Sequence, residues 1–335
     1  MYFPQTRLRR LRQNKTFLKM LKETNILPEN LIMPYFVVPG KNIRKEIPSL
    51  PGQFHLSIDE LLKEVSELEG LGISGIILFG IPEKKDDLGS EAYSEDGVIQ
   101  TSCKALKEKT RELIVITDVC LCEYTKHGHC GIIKSQKSKE GYIIDNDATL
   151  GVLAKIAISQ VRAGSDIVAP SDMMDGRVGK IRFALDNEGY KDTPIMSYSA
   201  KYASALYSPF RNAADCSPRF GDRTTYQMDY SNKYEALREM EQDIEEGVDI
   251  LMVKPALFYL DVISLVKERF NLPLCAFSVS GEYAMIKAGA ERGFIDEKRV
   301  IKEALTSIKR AGADIIITYF AKEYAKEMQN CGKDL

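Results

Sequence analysis

The stretch EEGVDILMVKP (residues 245–255) indicates the fold, because its pattern occurs again in RAGSDIVAP (162–170) and RAGADIIITYF (310–320). Each copy has the end of a helix, a glycine, an aspartate and an apolar strand. Glycine commonly ends a helix, and helices alternating with strands indicate β/α units with a parallel sheet. The irregular spacing between the copies argues against a solenoid.

Eight apolar runs of this kind follow one another along the chain. They are LIMPYFVV (31–38), ISGIILFG (73–80), LIVITDVCL (113–121), DIVAP (166–170), PIMSYS (194–199), DILMVKP (249–255), PLCAFSVS (273–280) and DIIITYF (314–320). Nearly continuous apolar runs are typical of parallel strands covered on both faces. We therefore predict an α/β fold, a single (β/α)8 TIM barrel over residues 31–330. The alternative is a doubly wound open sheet, but no G-x-G-x-x-G follows the first run.

Composition and charge limit the classes of protein. Lys plus Arg number 46 against 48 for Asp plus Glu in 335 residues, so no basic excess points to a nucleic acid partner. No apolar stretch approaches the roughly 18 residues of a membrane span. Seven cysteines, three of them close together, favour metal binding in a reducing compartment over disulfides. We expect a cytoplasmic protein.

Two segments fall outside the barrel pattern. Residues 1–30 begin with a basic stretch that carries scattered leucines, and we expect an arm that packs on a neighbouring subunit. The alternative is a solvated arm. Residues 207–232, rich in Ser, Pro, Asp and Gly, form an unusually long connection between the fifth and sixth runs. Such loops are usually functional or disordered. Because Arg211, Arg219 and Arg223 suit a carboxylate substrate, we predict a lid.

Three cysteines in DVCLCEYTKHGHC (118–130) form a candidate metal site. Alternation along a strand is expected to place Cys120 and Cys122 on one face, and the following loop can return Cys130 to them. Three thiolates around Zn²⁺ leave one position open, as in catalytic zinc sites. The alternative is three unrelated buried thiols. The remaining cysteines are interpreted as core or surface residues: Cys103, Cys216, Cys275 and Cys331.

Two lysines are candidate nucleophiles. Lys254 directly follows four apolar strand residues, and Lys201 follows SYSA just past another run. A lysine in an apolar pocket, or beside another cation, has its pKa lowered toward about 7–8 and becomes a nucleophilic amine. On neighbouring strands, each lysine is expected to lower the pKa of the other. This arrangement suits Schiff-base chemistry on a carbonyl substrate.

The motifs DVCLCEYTKHGHCG, APSDMMDGRV, PIMSYSAKYASALYSPFR, FGDR, LMVKPALFYLD, VSGEYAMI and GADIIITYF together carry a recognisable pattern. From about residue 4 to about residue 326, the chain resembles the porphobilinogen synthase family, also called 5-aminolevulinate dehydratase. The resemblance implies a barrel whose N-terminal arm wraps a partner, usually in a homo-octamer. It also implies a lyase of haem biosynthesis that condenses two 5-aminolevulinate molecules to porphobilinogen with loss of water.

The resemblance implies roles for particular residues. Lys201 and Lys254 match the Schiff-base lysines, Arg211 and Arg223 match lid residues for one substrate carboxylate, and Ser280 and Tyr319 match the pair that holds the other. Cys120, Cys122 and Cys130 match zinc ligands, and Asp118 matches an acidic residue near the zinc whose role stays open. Glu239 matches an allosteric magnesium ligand of some bacterial members; the alternative is a solvated helix glutamate. No thiol stands near Thr225, so a second zinc through His129 is not expected.

Two other functions remain open on the sequence. A Schiff-base aldolase with a structural zinc would need only one essential lysine. A non-enzymatic zinc scaffold or redox sensor would need neither lysine. Formation of porphobilinogen from 5-aminolevulinate distinguishes these alternatives.

Overall fold

The computed structural model describes residues 3–110, 112–134 and 142–333, apart from the side chains of residues 331–333, so Cys331 lies outside the described side chains. The strands are β1 (Leu31–Val37), β2 (Arg44–Ile47), β3 (Leu50–Leu56), β4 (Gly75–Gly80), β5 (Ile114–Val119), β6 (Ile132–Lys134), β7 (Ile143–Asp145), β8 (Ile167–Pro170), β9 (Met196–Lys201), β10 (Ile250–Lys254), β11 (Leu274–Ser278) and β12 (Ile315–Thr318). The α-helices are α1 (Lys15–Met20), α2 (Ile58–Gly70), α3 (Val98–Lys109), α4 (Asn146–Arg162), α5 (Arg177–Asn187), α6 (Ser208–Ala213), α7 (Glu235–Glu245), α8 (Leu260–Arg269), α9 (Ser280–Glu291), α10 (Glu297–Ala311) and α11 (Ala321–Lys333).

Eight parallel strands form the barrel. Their order is β8-β5-β4-β1-β12-β11-β10-β9. A parallel bridge between Val168 and Ile195 links the two ends of this series. Each of the eight strands leads into at least one helix before the next. The predicted (β/α)8 barrel is therefore confirmed, and the open-sheet alternative is wrong.

The aspartate of the repeated pattern ties each of three strands to its neighbour. In each copy the side chain accepts a hydrogen bond from a backbone N–H at the start of the adjacent strand. The pairs are Asp166 with Val115 (2.8 Å), Asp249 with Ile195 (2.8 Å) and Asp314 with Leu274 (2.9 Å). The preceding glycine turns the chain from helix to strand, and Gly312 does so at a φ of 128°, where a side chain would be strained. The aspartate of the repeat thus helps to fix the alignment of neighbouring strands.

Aromatic side chains fill the barrel beneath the carboxyl ends of the strands. Phe79 lies 5.7 Å from Phe36 and 6.4 Å from Phe277, ring centre to ring centre. Tyr198 packs on Phe277 at 6.3 Å. β4 and β11 are not neighbours in the barrel, so these contacts cross its interior. Large buried rings contribute strongly to packing. Here they form an apolar layer beneath the carboxyl ends of the strands.

Some features were not anticipated from the sequence. β2 and β3 form a hairpin after β1, and β3 also pairs with β1. β6 and β7 form a second hairpin.

Residues 8–12 and 15–20 bury no side chain, and Leu8 is 73 % exposed. The assignment of residues 1–30 to subunit assembly stays a prediction. Across the described ranges, none of the helices combines the length and the apolar character that a membrane span requires.

Candidate active site

Polar side chains from several strand ends meet in one cavity at the carboxyl end of the barrel, where barrel enzymes carry their active sites. The lining residues are Phe79, Asp118, Cys122, Glu123, Ser171, Lys201, Tyr207, Phe210, Arg211, Arg223 and Lys254. The two lysines are register partners on the adjacent strands β9 and β10. The structure thus brings together most of the residues that the sequence singled out.

Lys254 ends β10 inside an aromatic cage. Its Nζ lies 4.1 Å from the ring centre of Phe277, 4.9 Å from that of Tyr198 and 5.1 Å from that of Phe210. Burial, together with the nearby charge of Lys201, lowers the pKa of Lys254 to about 7. Its amine is therefore largely available as a nucleophile near neutral pH.

Lys201 ends β9 in a different environment. Its Nζ donates a hydrogen bond to the backbone oxygen of Ser171, and it also faces the ring of Tyr198 at 5.5 Å. Burial lowers the pKa of Lys201, but the cysteines of the neighbouring cluster, Cys130 foremost, outweigh this and raise it overall. The expected lowering by the other lysine is therefore correct for Lys254, whereas the pKa of Lys201 is raised overall by its cysteine neighbours.

Asp118 connects the two lysines to the cysteine cluster. Its Oδ2 accepts a hydrogen bond of 3.0 Å from the hydroxyl of Ser171. Burial and the carboxylate of Glu123 raise the pKa of Asp118 to about 7, although Lys201 and Lys254 act in the opposite direction. A carboxyl group with this pKa can both give and take a proton near neutral pH.

The sulfur atoms of Cys120, Cys122 and Cys130 all lie within 4.8 Å of one another, and those of Cys120 and Cys122 are 3.4 Å apart. All three side chains are buried. The reasoning from strand alternation was wrong, because β5 ends at Val119 and both cysteines stand in the turn that follows it. The turn nevertheless gathers the thiols. Zn–S bonds of about 2.3 Å fit sulfurs at this spacing, so the donor set suits a thiophilic divalent metal.

Two further residues adjoin the cluster. Cys216 was interpreted as a core or surface residue, but its sulfur, that of Cys122 and a carboxylate oxygen of Glu123 lie within 4.8 Å of one another. Glu123 Oε2 is 3.2 Å from the sulfur of Cys122. Glu123 could have been noticed as the neighbour of Cys122 in sequence. Cys216 gave no such signal, because only the fold brings residues 122 and 216 together.

The segment 207–232 folds over the cysteine turn. The guanidinium of Arg223 donates hydrogen bonds to the backbone oxygens of Gly128 (2.9 Å) and Cys216 (2.8 Å). The side chain of His129 contacts the hydroxyl of Tyr226 (3.0 Å) and the backbone oxygen of Phe220 (2.9 Å) through its two ring nitrogens. His129 therefore connects this segment to the cysteine turn. Arg211 lines the same cavity from α6.

Ser280 and Tyr319 follow β11 and β12, and both are buried. Ser280 is the first residue of α9; its hydroxyl accepts a hydrogen bond from the N–H of Phe210 (3.0 Å) and donates to the oxygen of Leu206 (3.2 Å). The hydroxyl of Tyr319 has no hydrogen-bond partner among the described residues. Ser280 thus holds the segment over the cavity, and neither Ser280 nor Tyr319 is among the residues that line it.

Glu239 lies apart from the lysines, on α7, in a second cavity of about 540 Å³. Burial raises the pKa of this carboxyl group. Gln227 lines the same cavity, and neither atom of its amide has a hydrogen-bond partner in the described part of the chain. Sequence reasoning missed Gln227, because nothing in its surroundings along the chain distinguishes it.

Comparisons with known proteins identify the family of this chain. The family model for delta-aminolevulinic acid dehydratase matches residues 5–327. Proteins of that name from Methanothermus sociabilis and Bacillus subtilis are 56 % and 54 % identical, covering 98 % and 96 % of this chain and 100 % and 97 % of their own lengths. A crystal structure of the Toxoplasma gondii enzyme with the reaction product porphobilinogen superposes with a TM-score of 0.94 at 47 % identity, over 98 % of this chain and 93 % of that one. The chain belongs to the delta-aminolevulinic acid dehydratase family.

Proposed function

We propose that this chain condenses two molecules of 5-aminolevulinate to porphobilinogen through imines at Lys201 and Lys254. Its family makes it a lyase that forms porphobilinogen from 5-aminolevulinate. The observation that carries the proposed roles is the pairing of the two lysines across β9 and β10, in a cavity that Cys122 also lines.

Lys254 is suited to attack a ketone. Its pKa of about 7 leaves much of the amine unprotonated at neutral pH. The amine adds to the ketone carbon, water leaves, and the resulting protonated imine withdraws electrons from the adjacent carbons. The rings of Phe277, Tyr198 and Phe210 exclude water and stabilise a cation at this nitrogen.

Lys201 needs help to become a nucleophile, because its pKa is raised. Asp118, with a pKa of about 7, is the group nearby that exchanges a proton most readily. We assign it the role of general acid and base during formation and loss of the imine. The hydrogen bond from Ser171 orients its Oδ2.

Zinc is the metal that we assign to Cys120, Cys122 and Cys130. Three buried thiols suit Zn²⁺, whereas Mg²⁺ prefers oxygen ligands. Bound there, zinc would supply a Lewis acid with an open position for a substrate atom. The protein's own contribution is to gather the three thiols in a dry turn beside the lysines.

Two sets of side chains are assigned to the two substrate carboxylates. Arg211 and Arg223 line the cavity with fixed positive charge from within the segment 207–232, which we interpret as a lid. Tyr319 offers a hydroxyl without a partner among the described residues, and Ser280 offers one that would exchange its bond to the oxygen of Leu206 for a bond to the carboxylate. Both residues lie on the opposite side of Lys254 in the order of the strands. Different partners for two identical molecules would give them different orientations and therefore different roles.

Assembly and a second metal are also part of the proposal. The exposed apolar side chains of Leu8, Leu11 and Leu18 support an arm that packs on another subunit, in a homo-octamer as the resemblance implies. Glu239, half-buried beside a cavity, is assigned to an allosteric magnesium ion.

Formation of porphobilinogen from 5-aminolevulinate tests the proposed lysine roles. Lys254→Ala and Lys201→Ala should each lower the rate by orders of magnitude, since no neighbouring amine replaces either one. Lys254→Arg keeps the charge and should not rescue activity. Lys302→Ala, an exposed lysine on α10, serves as the matched control. Near-normal activity in either alanine variant at 201 or 254 contradicts the proposal.

A further inference from the structure

The carboxylate of Glu282 is buried at the start of α9 and accepts three hydrogen bonds from backbone N–H groups. Its Oε1 accepts from Ala256 (3.0 Å) and Leu257 (2.9 Å), and its Oε2 accepts from Val279 (3.0 Å). A buried carboxylate with both oxygens occupied in this way holds its partners firmly.

These partners belong to two different loops of the barrel. Ala256 stands two residues after Lys254, at the end of β10. Val279 stands directly before Ser280, at the end of β11. A single carboxylate therefore joins the loop of the proposed imine lysine to the loop of a proposed carboxylate ligand.

The start of α9 also forms hydrogen bonds with the segment above the cavity. The hydroxyl of Ser280 is bonded to the N–H of Phe210 and the oxygen of Leu206. A Cβ at Gly281 would lie only 2.5 Å from the oxygen of Leu206, so the two segments are in close contact. Phe210 in turn covers the Nζ of Lys254. The start of α9 is thus bonded both to the loop that follows Lys254 and to the segment that covers the cavity, and it carries Ser280 itself.

We propose that Glu282 is a positioning residue that fixes the distance between the Nζ of Lys254 and the hydroxyl of Ser280, and thereby selects keto acids by length. The inference rests on the proposed function, in which Lys254 binds the ketone carbon and Ser280 helps to bind the carboxylate. In 5-aminolevulinate two methylene groups separate these carbons. A longer keto acid could not place both ends at once unless the two loops moved apart.

Glu282→Gln is the direct test. The amide keeps the size of the side chain but replaces one accepting oxygen with a donor, which faces a backbone N–H on one of the two loops. Wild-type protein and variant, both with bound metal, are incubated with 4-oxopentanoate or with the longer 5-oxohexanoate and reduced with borohydride. Peptide mapping measures the adduct at Lys254.

We expect the wild-type protein to prefer 4-oxopentanoate by about tenfold or more, the range that one methylene group produces in a shaped site. In Glu282→Gln the preference should fall to about threefold or less. The matched control is Asp296→Ala, which removes the cap of α10 at the N–H of Arg299. It should keep the wild-type preference, because a loss of stability alone does not change a ratio of adducts.

The outcomes separate the two proposals. A folded Glu282→Gln variant with the wild-type preference overturns the positioning role and leaves the proposed function standing. A wild-type protein that forms no adduct at Lys254 with either acid overturns the proposed function itself. If Glu282→Gln does not fold, Glu282→Asp is measured instead; its carboxylate is one methylene shorter, and an unchanged preference again overturns the inference. If neither variant folds, Glu282 is a stability element and the inference is wrong.

Discussion

Replacing Lys201 with Met should raise the pKa of Lys254. Both ammonium groups face the ring of Tyr198, at 4.9 and 5.5 Å from its centre. The two Nζ atoms are therefore at most about 10 Å apart, and with an effective dielectric constant of about 20 Coulomb's law gives at least about 1.6 kcal/mol, or about 1.2 pKa units. Burial, the larger cause of the lowered pKa, remains in the variant. We therefore expect the pKa of Lys254 to rise above about 7 by an amount of this order.

The assay follows the adduct at Lys254 as a function of pH. Protein is incubated with 4-oxopentanoate and cyanoborohydride at equal metal content, and the modified peptide is quantified by mass spectrometry. Only the neutral amine attacks, so the rate rises with pH through the pKa and then levels off. In Lys201→Met the whole curve should move to higher pH. In Lys201→Arg, which keeps a cation, the midpoint should stay near that of the wild type.

An unmoved midpoint in Lys201→Met would contradict the proposed effect of Lys201 on the pKa of Lys254. It would mean that burial in the aromatic cage alone sets the pKa of Lys254, and that the pairing of the two lysines has no electrostatic role. A midpoint that moves equally in Lys201→Arg would point to altered packing rather than to charge.

Three further predictions concern the metal, the arm and the barrel. Cys122→Ala should lose both zinc and activity in metal analysis and turnover assays, whereas Cys275→Ala, at a buried thiol of β11 outside the cluster, should keep zinc; full activity of metal-free protein contradicts the zinc assignment. Deletion of residues 1–22 should reduce the particle mass in light scattering, and an unchanged mass would show that the arm is a free tail. Asp249→Ala leaves the N–H of Ile195 without its acceptor, so the free energy of unfolding in urea should fall by about 1–3 kcal/mol; an unchanged value would mean that this bond does not secure the strand.

The features that sequence predicted well are those that local pattern controls. The Gly and Asp before three of the apolar runs indicate the start of a strand, and the structure shows the reason in the bond from Ile195 to Asp249. Lys254 could be placed at a strand end because an exposed lysine is hard to accommodate directly after four apolar residues. The close spacing of three cysteines located the candidate metal site, although Cys120 and Cys122 lie beyond the strand rather than on it.

The features that sequence missed depend on contacts between distant segments. Cys216 approaches Cys122 only because the covering segment folds back over the cysteine turn. Burial alone would lower the pKa of Lys201, and only the folded chain shows that Cys130, Cys120 and Cys122 outweigh this effect and raise it. Glu282 reads as an ordinary residue in the first turn of a helix, and its three bonds to two loops appear only in the folded chain.

Trapping with the substrate itself tests imine formation at Lys201 and Lys254 most directly. Protein carrying its metal is mixed with 5-aminolevulinate, reduced with borohydride and digested, and the lysine peptides are mapped. We expect substrate adducts at both Lys201 and Lys254. An adduct at only one of them, together with normal porphobilinogen formation when the other is replaced by Ala, would contradict it.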